Sequence, residues 1–346
     1  MKKTWRVLLV GFGTVGQGVA ERLRDGATEL AAVGLDAQIV GVVDPVLGSI
    51  ASQDGLDPGE LLDLMARYGS LRDYPDAEPA GCGVEAIDTI DADVVFEMTP
   101  TNLVDGSPGL DHVRAALAAG RHVATTNKGP VALAWAELSE LARVNDVQLR
   151  CEGTVMSGTP LLNVCEGGLA GAGVYSARGI LNGTCNFVLC RMEGGIDYDE
   201  ALAEAQQLGY AETDPSADVD GWDAAAKVAI LGNIVLGGAL TLSDVSREGI
   251  VGIDRSDVDC AAQQGNRLRL VGSVRVVDGA VVDPKVAVAE LPFDDPLAQV
   301  RGAGNLLTFE TQALGPVSIA GPGAGRAATG HALIADLVAI QRRVGS

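Results

Sequence analysis

The chain has 346 residues, 47% of them hydrophobic, which is enough for packed cores in two domains. Its formal net charge of −21 argues against nucleic acid and anionic membranes as partners and leaves small molecules. Six cysteines without a CxxC pair read as reduced thiols, and three scattered histidines (112, 122 and 331) argue against a histidine-built zinc site.

Met1-Lys-Lys-Thr-Trp-Arg6 is a basic start, but the apolar run behind it belongs to a strand and a glycine turn rather than to a signal peptide, so a cytoplasmic protein is expected. Thr4–Val10 is that strand. Gly11-Phe-Gly13-Thr14-Val15-Gly16-Gln-Gly18 follows at once and opens a helical run, Val19–Arg24. A GxGxxG pattern alone is weak; between an N-terminal strand and a helix it is the dinucleotide fingerprint, with the pyrophosphate on the helix N-terminus. The next strand, Ala37–Val43, ends in Asp44 with no arginine just after it. An acidic residue there takes the ribose 2′-hydroxyl and disfavours a 2′-phosphate, so NAD is favoured and NADP remains possible.

Residues 48–84 are rich in Gly, Asp and Pro, with one helical patch at Gly59–Tyr68. Alternation then resumes: strand Asp93–Thr99, helix Gly109–Gly120, strand His122–Thr126, helix Val131–Asn145. It predicts an α/β fold with a Rossmann-like, doubly wound parallel sheet. Ligands of such sheets lie beyond the carboxyl ends of the strands, where Thr99-Pro-Thr and Thr126-Asn-Lys128-Gly-Pro fall. Lys128 could cap a turn, but this placement favours a functional role.

After Cys151 the pattern changes. Glu152–Pro160 is a polar, glycine-rich loop, Val174–Leu181 a strand running into Asn182–Asn186, and Asp199–Leu208 a helix closed by Gly209. Strands at Arg267–Val277, Ala287–Leu291 and Leu306–Thr311 suggest a separate mixed sheet in an α+β domain. The end, Gly321–Gly330 and then a helix to Arg343, is a second glycine turn that could return to the nucleotide domain. The expected division is residues 1–151 completed by 318–346, and 152–317 for substrate binding, catalysis and dimerisation.

Most of the chemistry is concentrated in Gly209–Leu231. Asp220 is placed to cap the helix that follows, with Asp223 in its first turn and Lys227 four residues further on the same face. Lys227 is the only charged side chain from Ala224 to Ser243, in a helix apolar on nearly every side. A buried ammonium there needs a carboxylate partner, a lowered pKa, or both, as an acid/base lysine does. Lysine is also scarce: of 25 basic residues only five are lysine, and beyond the N-terminal pair they are Lys128, Lys227 and Lys285. An amine can titrate where guanidinium does not. The acidic, lysine-poor composition fits either adaptation to high salt or an ordinary acidic protein from a GC-rich genome.

The blocks Gly11–Gly18, Thr126–Pro130, Glu152–Pro160, Gly179–Asn186, Leu208–Lys227 and Gly321–Gly325 together closely resemble homoserine dehydrogenase over nearly the whole chain. The resemblance implies NAD(P)-dependent interconversion of L-aspartate 4-semialdehyde and L-homoserine, on the route to threonine and methionine, by a dimer built through the second domain's sheet. By the same resemblance, Lys227 is the proton donor and Lys128 contacts cofactor and substrate. Glu212, Asp218 and Asp223 hold the substrate's amino group and support the lysine. Thr99 lines the nicotinamide side, Gly325 touches the cofactor, and Glu152, Val155, Ser157 and Thr159 form a Na+ or K+ loop through carbonyls. Longer relatives carry a C-terminal regulatory domain, and this chain is expected to lack one. Which lysine donates the proton stays open. Rival readings are another amino-acid dehydrogenase on the same scaffold and a NAD-bound sensor without turnover.

Overall fold

Strand β1 (Trp5–Val10) is almost wholly buried, as expected of a parallel strand covered on both faces by helices. The computed structural model describes residues 3–345; Met1 and Lys2 of the basic start and Ser346 of the C-terminal segment lie outside them. On one side β1 pairs in parallel with β2 (Ala37–Val43), and beyond it lie β3 (Ile50–Leu56) and β4 (Glu78–Pro79). On the other, β5 (Val94–Glu97), β6 (His122–Thr125) and β7 (Leu149–Arg150) continue the parallel sheet. Strand order therefore reverses beside β1, which places a switch point at the carboxyl end of β1, where the glycine turn begins.

Side chains of β1 alternate between two cores. Val7 and Leu9 pack with Val19, Leu61, Leu333 and Leu337, from helices Thr14–Asp25, Pro58–Tyr68 and Arg326–Val344. Leu8 and Val10 pack with Val113, Leu117, Leu138 and Ala142, from helices Gly109–Ala118 and Lys128–Val144.

The sheet departs from the sequence expectation at one edge, where β3 and β4 are antiparallel additions within the stretch 48–84. Asp44 is the reason. Its Oδ1 accepts from the N–H groups of Val46 and Leu47, and Gly48 takes φ +111°, so the chain turns back too soon for a crossover helix. The C-terminal helix starts at Arg326, before Gly330 rather than after it. Gly330 serves close helix packing instead: a Cβ there would come 2.5 Å from the carbonyl carbon of Gly18.

A second sheet runs β13-β12-β8-β10-β11-β9. Its members are β8 (Val174–Ile180), β9 (Ser246–Arg247), β10 (Asn266–Val277), β11 (Ala280–Pro292), β12 (Gly304–Thr311) and β13 (Gly315–Pro322). It is mixed, because β9 joins β11 in parallel while the other pairs are antiparallel. Asp278-Gly279, both at positive φ, turn β10 directly into β11, so β11 begins seven residues before the expected Ala287. β13 occupies residues that overlap the expected glycine turn only at their end and to which no element is otherwise assigned from the sequence. One compact unit comprises Met1–Asn163 with Gly325–Ser346, and the other Val164–Ala324.

Candidate active site

In the first unit the glycine turn is shaped for a diphosphate. Gly11 sits at φ +97°, where a Cβ would press 3.0 Å from the Met98 carbonyl, and a Cβ on Gly16 would strike the Gly11 carbonyl at 2.5 Å. Gly13 faces open space. Helix Thr14–Asp25 has neither a side-chain cap nor an acidic residue in its first turn, so the first-turn amides of Thr14, Val15 and Gly16 meet no competing side-chain acceptor. These groups fit the pyrophosphate of a dinucleotide. Asp44 is pinned beside them: its Oδ2 accepts from Phe12 N–H at 3.0 Å while Oδ1 serves its own loop.

At the carboxyl ends of β5 and β6, Thr99 donates through both N–H and Oγ to the buried carboxylate of Glu97. Asn127 caps helix Lys128–Val144 by accepting from Gly129 N–H. Lys128 is thus the first helical residue, three positions before the expected Val131, and is half-buried; Pro130 is tolerated because first-turn residues need no intrahelical donor. Gly325 caps the C-terminal helix at φ +135°, a backbone conformation that disfavours any side chain.

The loop after Cys151 is anchored by two buried acids. Glu152 accepts from the N–H groups of Leu161 (2.6 Å), Leu162 (3.0 Å) and Asn163 (2.6 Å), and burial still pushes its pKa up. Asp336 accepts from Glu152 N–H and from Asn163 Nδ2, and burial pushes its carboxyl up to about 8. Val155 is buried, Ser157 Oγ pairs with Thr329 Oγ at 2.6 Å, and Thr159 N–H donates to the Met156 carbonyl. The Glu152 carboxylate and the Ser157 hydroxyl are therefore committed within the protein. Among the described residues no cluster of three or more His, Cys, Asp or Glu could hold a metal.

In the second unit, helix Trp222–Ile234 is buried from Ala224 to Asn233. Its cap is Gly221 at φ +82°, not Asp220, which instead closes the short helix Ser216–Val219. A Cβ at 221 would lie 3.3 Å from the Glu248 carbonyl, and Arg247 donates to the Asp220 carbonyl while stacking 3.7 Å over Trp222. The end of β9 and the residue after it thus hold the turn in place. Lys227 is 7% exposed; its Nζ donates to the Leu181 carbonyl (2.6 Å) and to Asp223 Oδ2 (2.7 Å). Asn182 Nδ2 bridges Asp223 Oδ2 (2.9 Å) and Asp218 Oδ1 (2.6 Å), while its Oδ1 caps helix Gly183–Glu193 through Cys185 N–H. One ammonium, two carboxylates and one amide form a single hydrogen-bonded group. Glu212 is exposed and outside it; its carbonyl accepts from Gln206.

A family model described as homoserine dehydrogenase matches residues 160–338, and one described as its NAD binding domain matches residues 11–152. The chain is 43% identical to an NAD(+)-dependent homoserine dehydrogenase of Pseudomonas canavaninivorans, over 98% of this chain and 96% of that one. It is 37% identical to the homoserine dehydrogenase of Methanocaldococcus jannaschii, over 96% and 98%. The chain belongs to the homoserine dehydrogenase family.

A crystal structure of a putative homoserine dehydrogenase from Archaeoglobus fulgidus superposes with a TM-score of 0.87 at 36% identity, over 97% of this chain and 99% of that one. A hyperthermophilic archaeal homoserine dehydrogenase in complex with NADPH superposes at 0.83 and 28%, over 99% and 98%. As a homoserine dehydrogenase the protein is an NAD(P)-dependent oxidoreductase acting on a CH–OH group, interconverting L-aspartate 4-semialdehyde and L-homoserine. No helix among the described residues is long and apolar enough to cross a membrane. Sequence reasoning missed Asn182, Glu97, Asn127 and Arg247 as partners of the site. Asn182 and Arg247 lie far in the chain from Asp223 and Trp222, while Glu97 and Asn127 act on residues two positions on through contacts that hydrophobic periodicity does not register.

Proposed function

We propose that Lys227 is the proton donor and acceptor at the substrate oxygen, supported by its burial and its bonds to Asp223 and the Leu181 carbonyl, which use two of its three N–H groups. In reduction it gives a proton to the aldehyde oxygen as negative charge develops there, and in oxidation it takes that proton back. Asp218 and Asp223, oriented by Asn182, bind the substrate's cationic amino group, with Glu212 joining from the exposed loop. Lys128 reaches cofactor and substrate, and Thr99 lines the nicotinamide side. Gly11, Gly13, Thr14, Val15, Gly16 and Gly325 hold the diphosphate, and Asp44 the adenosine ribose. The bound cofactor supplies or receives a hydride.

We infer NAD(H) as the preferred cofactor, because Asp44 is fixed beside the glycine turn. A monovalent cation at 152–159 would rest on backbone carbonyls such as that of Val155, since the Glu152 carboxylate and the Ser157 hydroxyl are already committed, and no step is assigned to it. A homodimer through the second sheet, a place in threonine and methionine synthesis and a cytoplasmic setting complete the proposal. The deciding experiment follows the 340 nm absorbance of the nicotinamide with aspartate semialdehyde. Turnover supports the assignment, and its absence across both cofactors and a range of salt would refute it.

A further inference from the structure

We propose that Glu97 is a positioning residue for the nicotinamide end of the cofactor site, acting through Thr99 and Asn127 and by acceptor geometry rather than by charge. The inference rests on the proposed placement of Thr99 and Lys128 beside the nicotinamide. Glu97 ends β5 and is wholly buried, a costly place for a carboxylate unless donors surround it. Two hydroxyl relays of the same polarity reach it. In the first, Asn127 Nδ2 donates to Thr99 Oγ (3.3 Å), and Thr99 Oγ donates to Glu97 Oε1. In the second, the Asn127 main-chain N–H donates to Thr125 Oγ (3.0 Å), which lies 3.1 Å from Glu97 Oε2. Thr99 N–H adds a further donor to Oε1 at 3.0 Å.

Both relays begin at Asn127, the cap of the helix that opens with Lys128. Helix Gly109–Ala118 packs tightly against the same group: a Cβ at Gly109 would meet Asn127 Nδ2 at 2.3 Å and Glu97 Oε1 at 3.3 Å. His112 of that helix is buried, with Nδ1 3.7 Å from Oε1 and no hydrogen-bond partner. The group is therefore confined, and a small displacement of Oε1 moves Thr99 and the start of the Lys128 helix together. Oε1 is the critical atom, because Thr125 Oγ has a second acceptor in the Glu97 carbonyl at 3.0 Å. An amide nitrogen in place of Oε2 could donate to Thr125 Oγ, which reverses that one link but leaves Thr125 Oγ donating to the Glu97 carbonyl and the Oε1 relay intact. Shortening the side chain by one methylene withdraws Oε1 while keeping the charge.

The test compares binding of NAD+ and of ADP-ribose, which lacks only the nicotinamide, to the full chain by calorimetry, together with melting temperatures. Wild type should bind NAD+ more tightly. Glu97→Asp should lose about tenfold in NAD+ affinity, the worth of roughly one hydrogen bond, with ADP-ribose affinity unchanged. Glu97→Gln should keep both affinities. Thr99→Val, a change at the half-buried end of the relay, should repeat the Glu97→Asp pattern and serves if Glu97→Asp does not fold. Loss with Gln but not with Asp would mean that charge acts and overturns the proposal. So would an equal loss of both ligands, which marks a purely structural residue. If wild type itself gains nothing from the nicotinamide, the placement of Thr99 falls and the inference falls with it.

Discussion

Lys227 differs from an ordinary helical lysine in its surroundings: a buried, apolar helix around its stem, with one carboxylate and one carbonyl on its nitrogen. Lys227→Ala should lower kcat by roughly 10²–10⁴, the usual worth of a general acid, with less effect on cofactor affinity. Lys227→Arg should be nearly as inactive, because guanidinium keeps its proton near neutral pH and does not fit the Asp223 and Leu181 partners. Near-normal turnover in Lys227→Arg combined with a dead Lys128→Arg would transfer the proton to Lys128. Asp44 carries a second expectation. With its carboxylate fixed by Phe12 N–H, kcat/KM should favour NADH over NADPH, and Asp44→Ala should narrow the ratio; a wild-type preference for NADPH would refute the reading. The Asp223–Lys227 pair was legible in the sequence because four residues make one helical turn. Asn182 was not, since it lies far away in the chain, and its amide reaches Asp223 because β8 pairs with β10, the strand on which the buried helix packs.

Among the elements, helix Arg326–Val344 and the loop after Cys151 are joined by Asp336, and that joint has a pH signature. The folded carboxyl titrates near 8 because it is buried, against an ordinary value of 3.8. Between these values the folded chain keeps a proton that the unfolded chain has released. The contribution of Asp336 to stability is therefore fully present below about pH 4 and is lost as pH rises towards 8. The melting temperature of Asp336→Asn minus that of wild type should accordingly rise between pH 5.5 and pH 8.5, whatever its starting offset. Glu152 is also pushed up and its charge helps to raise Asp336, so the pH dependence of the difference reports Asp336 together with its coupling to Glu152. A constant difference would show that the group is ionised throughout. The same helix illustrates how far local patterns carry. Its glycine entry was visible, but its true start was not, because Gly330 read as the last residue of the glycine turn and is instead the contact that lets Gly18 approach. The parallel strands were plain from alternation with helices. The antiparallel edge and the β12–β13 hairpin depended on turns, at Asp44–Gly48 and Thr311–Gly315, whose hydrogen bonds a hydrophobic pattern does not register.

For the whole molecule the controlling quantity is a net charge of −21 on 346 residues. Arginines on the surface are largely met by acids, as in Arg24–Asp25, Arg114–Glu137 and Arg143–Glu140, so these cations hold neighbouring carboxylates rather than offset the excess. Exposed pairs of this kind contribute about 0–1 kcal/mol each, and salt screens them. Repulsion among the remaining carboxylates is screened too, and it is summed over many more pairs. With acids outnumbering bases by this margin, the second effect should win. The melting temperature should rise from low salt to about 2 M KCl, most steeply over the first few tenths molar, where the Debye length falls from about 30 Å toward a few ångströms. A further rise confined to the highest concentrations would point to salting-out of apolar surface rather than screening. A melting temperature that stays level or falls would show that the acidic surface gives no adaptation to high salt.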